Sequence, residues 1–214
     1  MESTIDRPRR TLERNQRRQQ VIEATISTIA ARGLARLTLT DVARTAGISH
    51  GLVLFHFETK ENLLSETLAC LADEYQKNWQ AALETAGPGA AERLLAVIEA
   101  DYRPAITTPA RLSAWCAFWG EAQSRPVYQK ICGERDAFHI QTLEGLCKQL
   151  VQEGGYTLDP VHVARILRLV VEGTWLDMMT VEASYSKVEA RQTVLTALAL
   201  CFGKHFADPQ TAQG

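Results

Sequence analysis

Two groupings of residues in this 214-residue chain have types and spacings that could do chemistry. The first is Gly47-Ile48-Ser49-His50-Gly51. Its G-x-S-x-G spacing is that of a hydrolase nucleophile elbow, which needs a buried strand before the serine and a helix after it. Residues 41–46 are polar and helix-like, and no parallel-sheet pattern occurs in the chain, so the elbow has nothing to hold it and an enzyme is not expected. The same residues read better as a helix-turn-helix. Val42, Ala43 and Ile48 pack inward, Gly47 lets the chain turn, and the second helix begins with small and polar residues that can enter a DNA major groove. Thr40, Arg44, Ser49, His50 and Gly51 are then left facing the nucleic acid. His50 and His56 are not expected to share a metal, because six residues on a helix point them to different faces and no third ligand lies near.

The second grouping is aromatic and acidic. Tyr102, Trp115, Phe118, Trp119, Tyr128 and Trp175 are interspersed with Asp101, Glu121, Glu172 and Asp177. Aromatic faces with a nearby carboxylate hold quaternary ammonium compounds through cation–π attraction. Trp115, Phe118 and Trp119 stand at i, i+3 and i+4, which is equally the spacing of an ordinary core stripe, and spacing by itself favours the core.

The elements that must position these residues are all helical. Apolar Val21, Ile22, Ile26, Ile29 and Ala30 predict a first helix over residues 15–32, stopped by Gly33. Thr40 is expected to cap a helix over 41–46, Ser49 one from His50 to about Phe57, and Thr59 a long amphipathic helix over 60–84 carrying Leu63, Leu64, Leu68, Leu71 and Tyr75 on one side. Ala86-Gly87-Pro88-Gly89 is the strongest break. Further helices are expected over 91–103, 109–123, 126–153 and 160–179, three of them opening on proline. A last helix begins near Ser186, where Glu189 completes a capping box, and runs to about Phe206. The fold class is all-α: an arm and three-helix DNA-binding domain over 1–58, a connecting helix over 59–85, and a helical ligand-sensing and dimerisation domain over 86–214.

Charge agrees with that division. Residues 1–70 carry ten Lys and Arg against eight Asp and Glu, and residues 71–214 carry thirteen against seventeen. The excess concentrates in Arg7, Arg9, Arg10, Arg14, Arg17 and Arg18, a basic arm suited to phosphates. Five scattered cysteines without a C-x-x-C pair suggest reduced thiols. A polar, Arg-rich start and the lack of any apolar run near the roughly 18 residues of a membrane span lead to an expectation of a cytoplasmic protein with no membrane partner.

The pattern Leu39-Thr40-x-Val42-Ala43-x-x-Ala46-Gly47-Ile48-Ser49-x-Gly51, followed by His56-Phe57-x-x-Lys60-x-x-Leu63-Leu64, resembles the N-terminal signature of the TetR family of transcriptional regulators. The resemblance implies that Lys60 binds backbone phosphate at the start of the fourth helix. At Leu54 the family often has a phosphate-binding tyrosine. Leu54 cannot donate a hydrogen bond, which leaves His56 as a candidate contact there. The DNA-contacting set is therefore Arg17, Arg18, Thr38, Thr40, Arg44, Ser49, His50, Gly51, Leu52, His56 and Lys60. Arg93-Leu94-Leu95-Ala96-Val97-Ile98, Ala114-Trp115-x-Ala117-Phe118-Trp119 and Glu172-Gly173-Thr174-Trp175-Leu176 resemble the C-terminal domain of BetI-type repressors of choline-to-betaine pathways. That implies a small effector, choline or a related amine, bound among Tyr102, Trp115, Phe118, Trp119, Glu121, Tyr128, Glu172 and Trp175. Leu52, Leu54 and Phe55 differ from the usual BetI pattern, which leaves operator and pathway open. No cofactor or metal is implied.

The last two helices carry Val163, Ile166, Leu167, Val170 and Val171, then Val194, Leu195, Leu198, Leu200 and Phe202, a wider apolar surface than one subunit can cover. In the TetR family the corresponding helices pair with their symmetry mates. The expectation is a homodimer through residues 160–206, matched to a palindromic double-stranded DNA operator. Two competing readings are a constitutive DNA-binding regulator with a filled core and no ligand, and a helical enzyme, which lacks a convincing nucleophile and base.

Overall fold

The computed structural model describes residues 6–121, 125–180 and 185–206. Among them are α1 (Asp6–Arg32), α2 (Leu39–Ala46), α3 (His50–Phe57), α4 (Lys60–Thr85), α5 (Ala90–Ala100), α6 (Pro109–Gly120), α7 (Arg125–Gly154), α8 (Pro160–Thr180) and α9 (Lys187–Cys201), and no strand. The all-α expectation holds. By contact the chain forms two compact units, Met1–Leu71 with Pro109–Ile131, and Ala72–Thr108 with Cys132–Gly214. The boundary falls inside α4, and α6 groups with the N-terminal helices rather than with the remainder of residues 86–214.

In the first unit, Val21, Ile26, Ile29, Leu37, Val42, Val53, Phe57 and Leu63 form the core. The buried hydroxyls of Thr25 and Thr28 donate to the carbonyls of Val21 and Ala24 one turn back, so both enter an apolar layer with their polar atoms satisfied. α1 starts nine residues earlier than its apolar periodicity indicates. Residues 11–14 are all exposed, Leu12 among them, and give periodicity no buried face to detect; straight-chain Arg and Glu continue the helix through their intrinsic propensity. The side chains of Arg7, Arg9 and Arg10 lie outside the described residues. Arg111 on α6 pairs with Glu23 on α1 at 3.0 Å.

The cap of α2 is Thr38, not Thr40. The Thr38 hydroxyl accepts from the Asp41 N–H at 3.1 Å and donates to the Asp41 carboxylate at 2.7 Å. The sequence signal for this choice is Thr38-x-x-Asp41, a capping-box spacing that Thr40 does not share. Gly47 then turns the chain at φ 66°, and Ser49 caps α3 by accepting from the Leu52 N–H at 3.3 Å. α3 ends at Glu58, whose φ of 64° is the one left-handed non-glycine backbone among the described residues.

The second unit is built on Trp79, Leu94, Val97, Leu150, Leu167, Val194, Leu198 and Phe202. Its helix starts follow the expected chemistry. Asp159 accepts from the Val161 and His162 N–H groups behind Pro160, and Ser186 and Glu189 close a reciprocal capping box on α9. α5 stops at Ala100 rather than Arg103, the N–H groups of Asp101, Tyr102 and Arg103 bonding carbonyls three residues back in successive tight turns instead of continuing the α-helix. α6 ends at Gly120, residues 122 and 123 lying outside the described residues. α9 ends at Cys201, short of Phe206, where Lys204 turns back to bond the Gly154 carbonyl and the Tyr156 hydroxyl.

The two threonines give a direct check on the cap. Thr38→Ala is expected to cost about 1 kcal/mol and Thr40→Ala only a few tenths, read as urea midpoints of the two variants; equal losses would return the cap to Thr40.

Candidate nucleic-acid interface and effector cluster

α3 buries Val53, His56 and Phe57 and turns His50, Gly51, Leu54 and Phe55 to solvent. Those four fall on one side of a helix, at i, i+1, i+4 and i+5. Ser49, Thr38, Thr40 and Arg44 are also exposed, while Leu52 and Lys60 are half-buried. Arg44 is held by Asp41 at 2.6 Å but leaves 64% of its side chain in solvent. Arg17 is exposed and donates to Gln20 at 2.7 Å. Ser49 follows a helix, not a strand, and is engaged as a helix cap, so the nucleophile-elbow reading has no structural basis.

Two members of the expected DNA-contacting set are placed elsewhere. Arg18 points inward. Its guanidinium donates to the His56 carbonyl, pairs with Glu66 on α4, and lies 4.6 Å from the Phe57 ring centroid. His56 is 8% exposed, with its ring edge-on to Phe55 at 5.3 Å. Burial lowers its pKa, and Arg18, Arg14 and Arg17 lower it further, so the imidazole is neutral at pH 7 and not offered to phosphate. Sequence pattern identified both as polar residues near the motif. Their direction was set by the apolar wall of Phe57 beneath them.

In the second unit a buried carboxylate meets aromatic rings. Asp101, at the end of α5, is 3% exposed. The Tyr75 hydroxyl donates to it, and its Oδ1 has no hydrogen-bond partner among the described residues. Burial raises its pKa to about 7, with a smaller push from Glu172. Glu172 itself is neutralised by Arg168 one turn away on α8. The Tyr75 ring stands edge-on to Trp175 at 6.0 Å and to His139 at 5.4 Å. Tyr102 bonds Thr174 at 2.6 Å, and burial lowers the His139 pKa to about 4, leaving it uncharged. An ionised Asp101 here is short of solvation, and a cation among these rings would restore what burial removes.

The eight expected effector residues are divided. Tyr102, Glu172 and Trp175 belong to the second unit, whereas Trp115, Phe118, Trp119, Glu121 and Tyr128 belong to the first. There Trp115 and Phe118 are core residues, and Trp119, 40% exposed, lies 5.9 Å from the Trp115 ring and donates to the Tyr128 hydroxyl. Tyr75 and His139 were not singled out by sequence as site residues, and Asp101 was noted only as one acid among several. The available signal for Asp101 was an acid placed between an apolar helix and a proline turn.

A helix-turn-helix with an exposed second helix, joined in one chain to a helical unit with a buried acid–aromatic cluster, defines a ligand-responsive class of DNA-binding regulator. Comparison with known proteins makes this specific. Residues 21–67 match the family model for bacterial regulatory proteins of the tetR family, and residues 90–203 match that for the C-terminal part of BetI-type transcriptional repressors. The chain belongs to the TetR family of transcriptional repressors, with a BetI-type C-terminal domain, and is not an enzyme. It is 32% identical to the HTH-type transcriptional regulator BetI 2 of Chromohalobacter salexigens, over 85% of this chain and 86% of that one. It is 29% identical to BetI of Escherichia coli, over 75% and 86%. Among solved structures, a transcriptional regulator from Pseudomonas aeruginosa superposes with a TM-score of 0.73 at 27% identity, covering 89% of this chain and 93% of that one. A Saccharomonospora viridis regulator solved in complex with choline shares the fold, with a TM-score of 0.74 at 22% identity over 86% and 96%.

The contrast between Arg18 and Lys60 separates scaffold from phosphate contact. Arg18→Ala leaves the His56 carbonyl without its donor and should destabilise the first unit by about 1–3 kcal/mol. Lys60→Ala should leave the melting temperature unchanged while weakening cognate and unrelated DNA alike and reducing the salt slope by about one. Calorimetry and salt-titrated binding on the two variants would reveal any exchange of these roles.

Proposed function

We propose that the chain acts in the cytoplasm as a homodimer on a palindromic operator and is released by a small quaternary ammonium compound, choline or a close relative, bound against Asp101. The observation that carries the effector assignment is the Asp101 carboxylate, buried with one oxygen open among Tyr75, Trp175 and Tyr102. The BetI names of the curated relatives and the choline complex of one structural neighbour support the same chemistry. α4 supplies the connection. It is one continuous helix that carries Lys60 at its first residue and Tyr75 four turns on, so an effector pressing on Tyr75 acts on the element that begins at the DNA-binding unit. Release follows if the ligand-bound population spaces the two recognition helices differently from successive major grooves.

The dimer rests on the outer faces of α8 and α9. Val163, Leu167, Val194, Leu198 and Phe202 of the expected apolar set are buried within the chain, while Ile166 and Leu200 face solvent together with Leu169 and Leu176. A shallow groove of about 420 Å³ lined by Val170, Gln192, Thr193, Thr196, Ala197 and Leu200 lies on the same surface. The occupant that fits is the same surface of a second copy, since a two-fold reader of a palindrome needs a self-complementary patch.

Protonation gives the effector assignment a signature. A carboxyl whose folded-state pKa is raised holds its proton more strongly when folded than when unfolded, so ligand-free stability falls as pH rises from about 4 to about 7. A cation needs the ionised form. Choline affinity should therefore rise about tenfold per pH unit below 7 and level off above it. Asp101→Asn should bind choline at least about tenfold more weakly with a flat pH profile. Operator release measured at pH 6 and pH 8 checks both, and failure of choline and tetramethylammonium to release the protein at pH 8 would sink the effector assignment while leaving DNA binding intact.

For the interface, the double substitution Leu169→Asp with Leu200→Asp should yield a folded monomer by sedimentation and weaken operator binding by at least about tenfold, because each half-site then binds alone. A dimeric double variant would place the interface on another surface.

A further inference from the structure

α3 is unusual for a helix that must tell bases apart. From His50 to Phe57 it holds no Arg, Lys, Asn, Gln, Asp or Glu. Those are the side chains whose forked or paired groups distinguish guanine, adenine and cytosine in the major groove. His50 can make a single hydrogen bond on each ring edge, and Gly51 offers only backbone. What α3 does present is apolar: Phe55 is 70% exposed and Leu54 37%, on the same side as His50 and Gly51. The Phe55 ring meets the buried His56 ring edge-on, so it is supported from within its own unit while its other side meets water. The surroundings are cationic. Arg14, Arg17 and Arg44 are exposed in the same unit, which suits a phosphate-lined partner.

One base carries an apolar group in the major groove, and that base is thymine, through its 5-methyl. We propose that α3 reads its operator through thymine methyl groups, with Phe55 and Leu54 as the side chains that contact them. This rests on the DNA-binding assignment and adds to it the chemistry of discrimination. The operator half-site then holds thymine at fixed positions. Removing a contacted methyl exposes about one methylene-equivalent of apolar surface and should weaken binding roughly fourfold per position. Contacts from the arginines are to the backbone and are insensitive to that change.

The probe is a set of duplexes enriched by the full-length protein from a randomised library, each then synthesised with thymine replaced by deoxyuracil one position at a time. The expected result is a half-site with fixed thymines, a loss of roughly fourfold for deoxyuracil at one or more of them, and disappearance of that loss in Phe55→Ala. Because the change is made in the DNA, the wild-type measurement does not depend on a variant folding. Equal binding of thymine and deoxyuracil duplexes, or selected half-sites without fixed thymine, overturns the inference and leaves DNA binding standing. A Phe55→Ala variant that alters self-association but keeps full thymine sensitivity also overturns it, by assigning the exposed ring to a protein contact. Failure to enrich any sequence overturns the DNA-binding assignment and this inference with it.

Discussion

The Arg18 guanidinium fixes the reading head. It is attached to α1, bonds the carbonyl of His56 in the last turn of α3, pairs with Glu66 on α4, and lies over Phe57. Three helices are joined by one side chain that is itself only partly exposed. The consequence for α3 is directional. With His56 and Phe57 held inward and Ser49 capping the other end, the rotation of this two-turn helix is set, and His50, Gly51, Leu54 and Phe55 face outward with Leu52 half-buried beside them. The same placement depresses the His56 pKa, keeping a neutral ring beneath a cationic surface. Removing a partner from such a cluster strands the others, which is why its geometry constrains more of the unit than its modest net energy suggests.

The second unit contains the opposite arrangement, a polar group that its surroundings leave incompletely satisfied. Asp101 has one oxygen bonded by Tyr75 and one open, and burial brings its pKa to about 7. Elsewhere the unit satisfies its charges locally: Arg191 grips Glu99 in a bidentate pair, and Arg168 holds Glu172. Against that background a half-titrated buried acid stands apart. A strongly perturbed carboxyl in a buried site is a candidate functional group.

The turn chemistry was legible because it is local. Gly47, Ser49, Asp159-Pro160 and Ser186-x-x-Glu189 each act on backbone atoms within four residues, and each appears in the structure as its sequence implies. The Thr38 cap was legible too, had Asp41 been given its weight as the partner three residues on. Arg18 and His56 were not. Their type and position near the motif suggested phosphate, but their direction depends on Glu66 and Phe57, contacts that spacing along α1 cannot reveal. The membership of the acid–aromatic cluster was not legible for the same reason. Trp115 and Trp119 stand out along one helix, whereas Tyr75, His139 and Trp175 come from three helices and Asp101 from the turn after α5, and no periodicity links them. Residues 11–14 show the converse limit, a helical stretch with no buried face and so no hydrophobic signal.

The exposed and unsatisfied surfaces differ in kind. The outer face of α8 and α9 exposes Ile166, Leu169, Leu176 and Leu200, with the exposed Arg165 next to Ile166 on α8. The face of α3 is also apolar, yet it lies in a unit whose exposed arginines would repel a second copy of themselves and attract a polyanion. The Asp101 cluster is buried and holds a carboxylate. Under the proposed effector assignment, its unbonded oxygen is matched by positive charge, and the rings around it favour a cation with little hydration to lose. One chain thus carries an apolar α8–α9 face, an apolar α3 face in a cationic unit and a buried acid–aromatic cluster, and α4 runs from Lys60 to the Tyr75 that bonds Asp101.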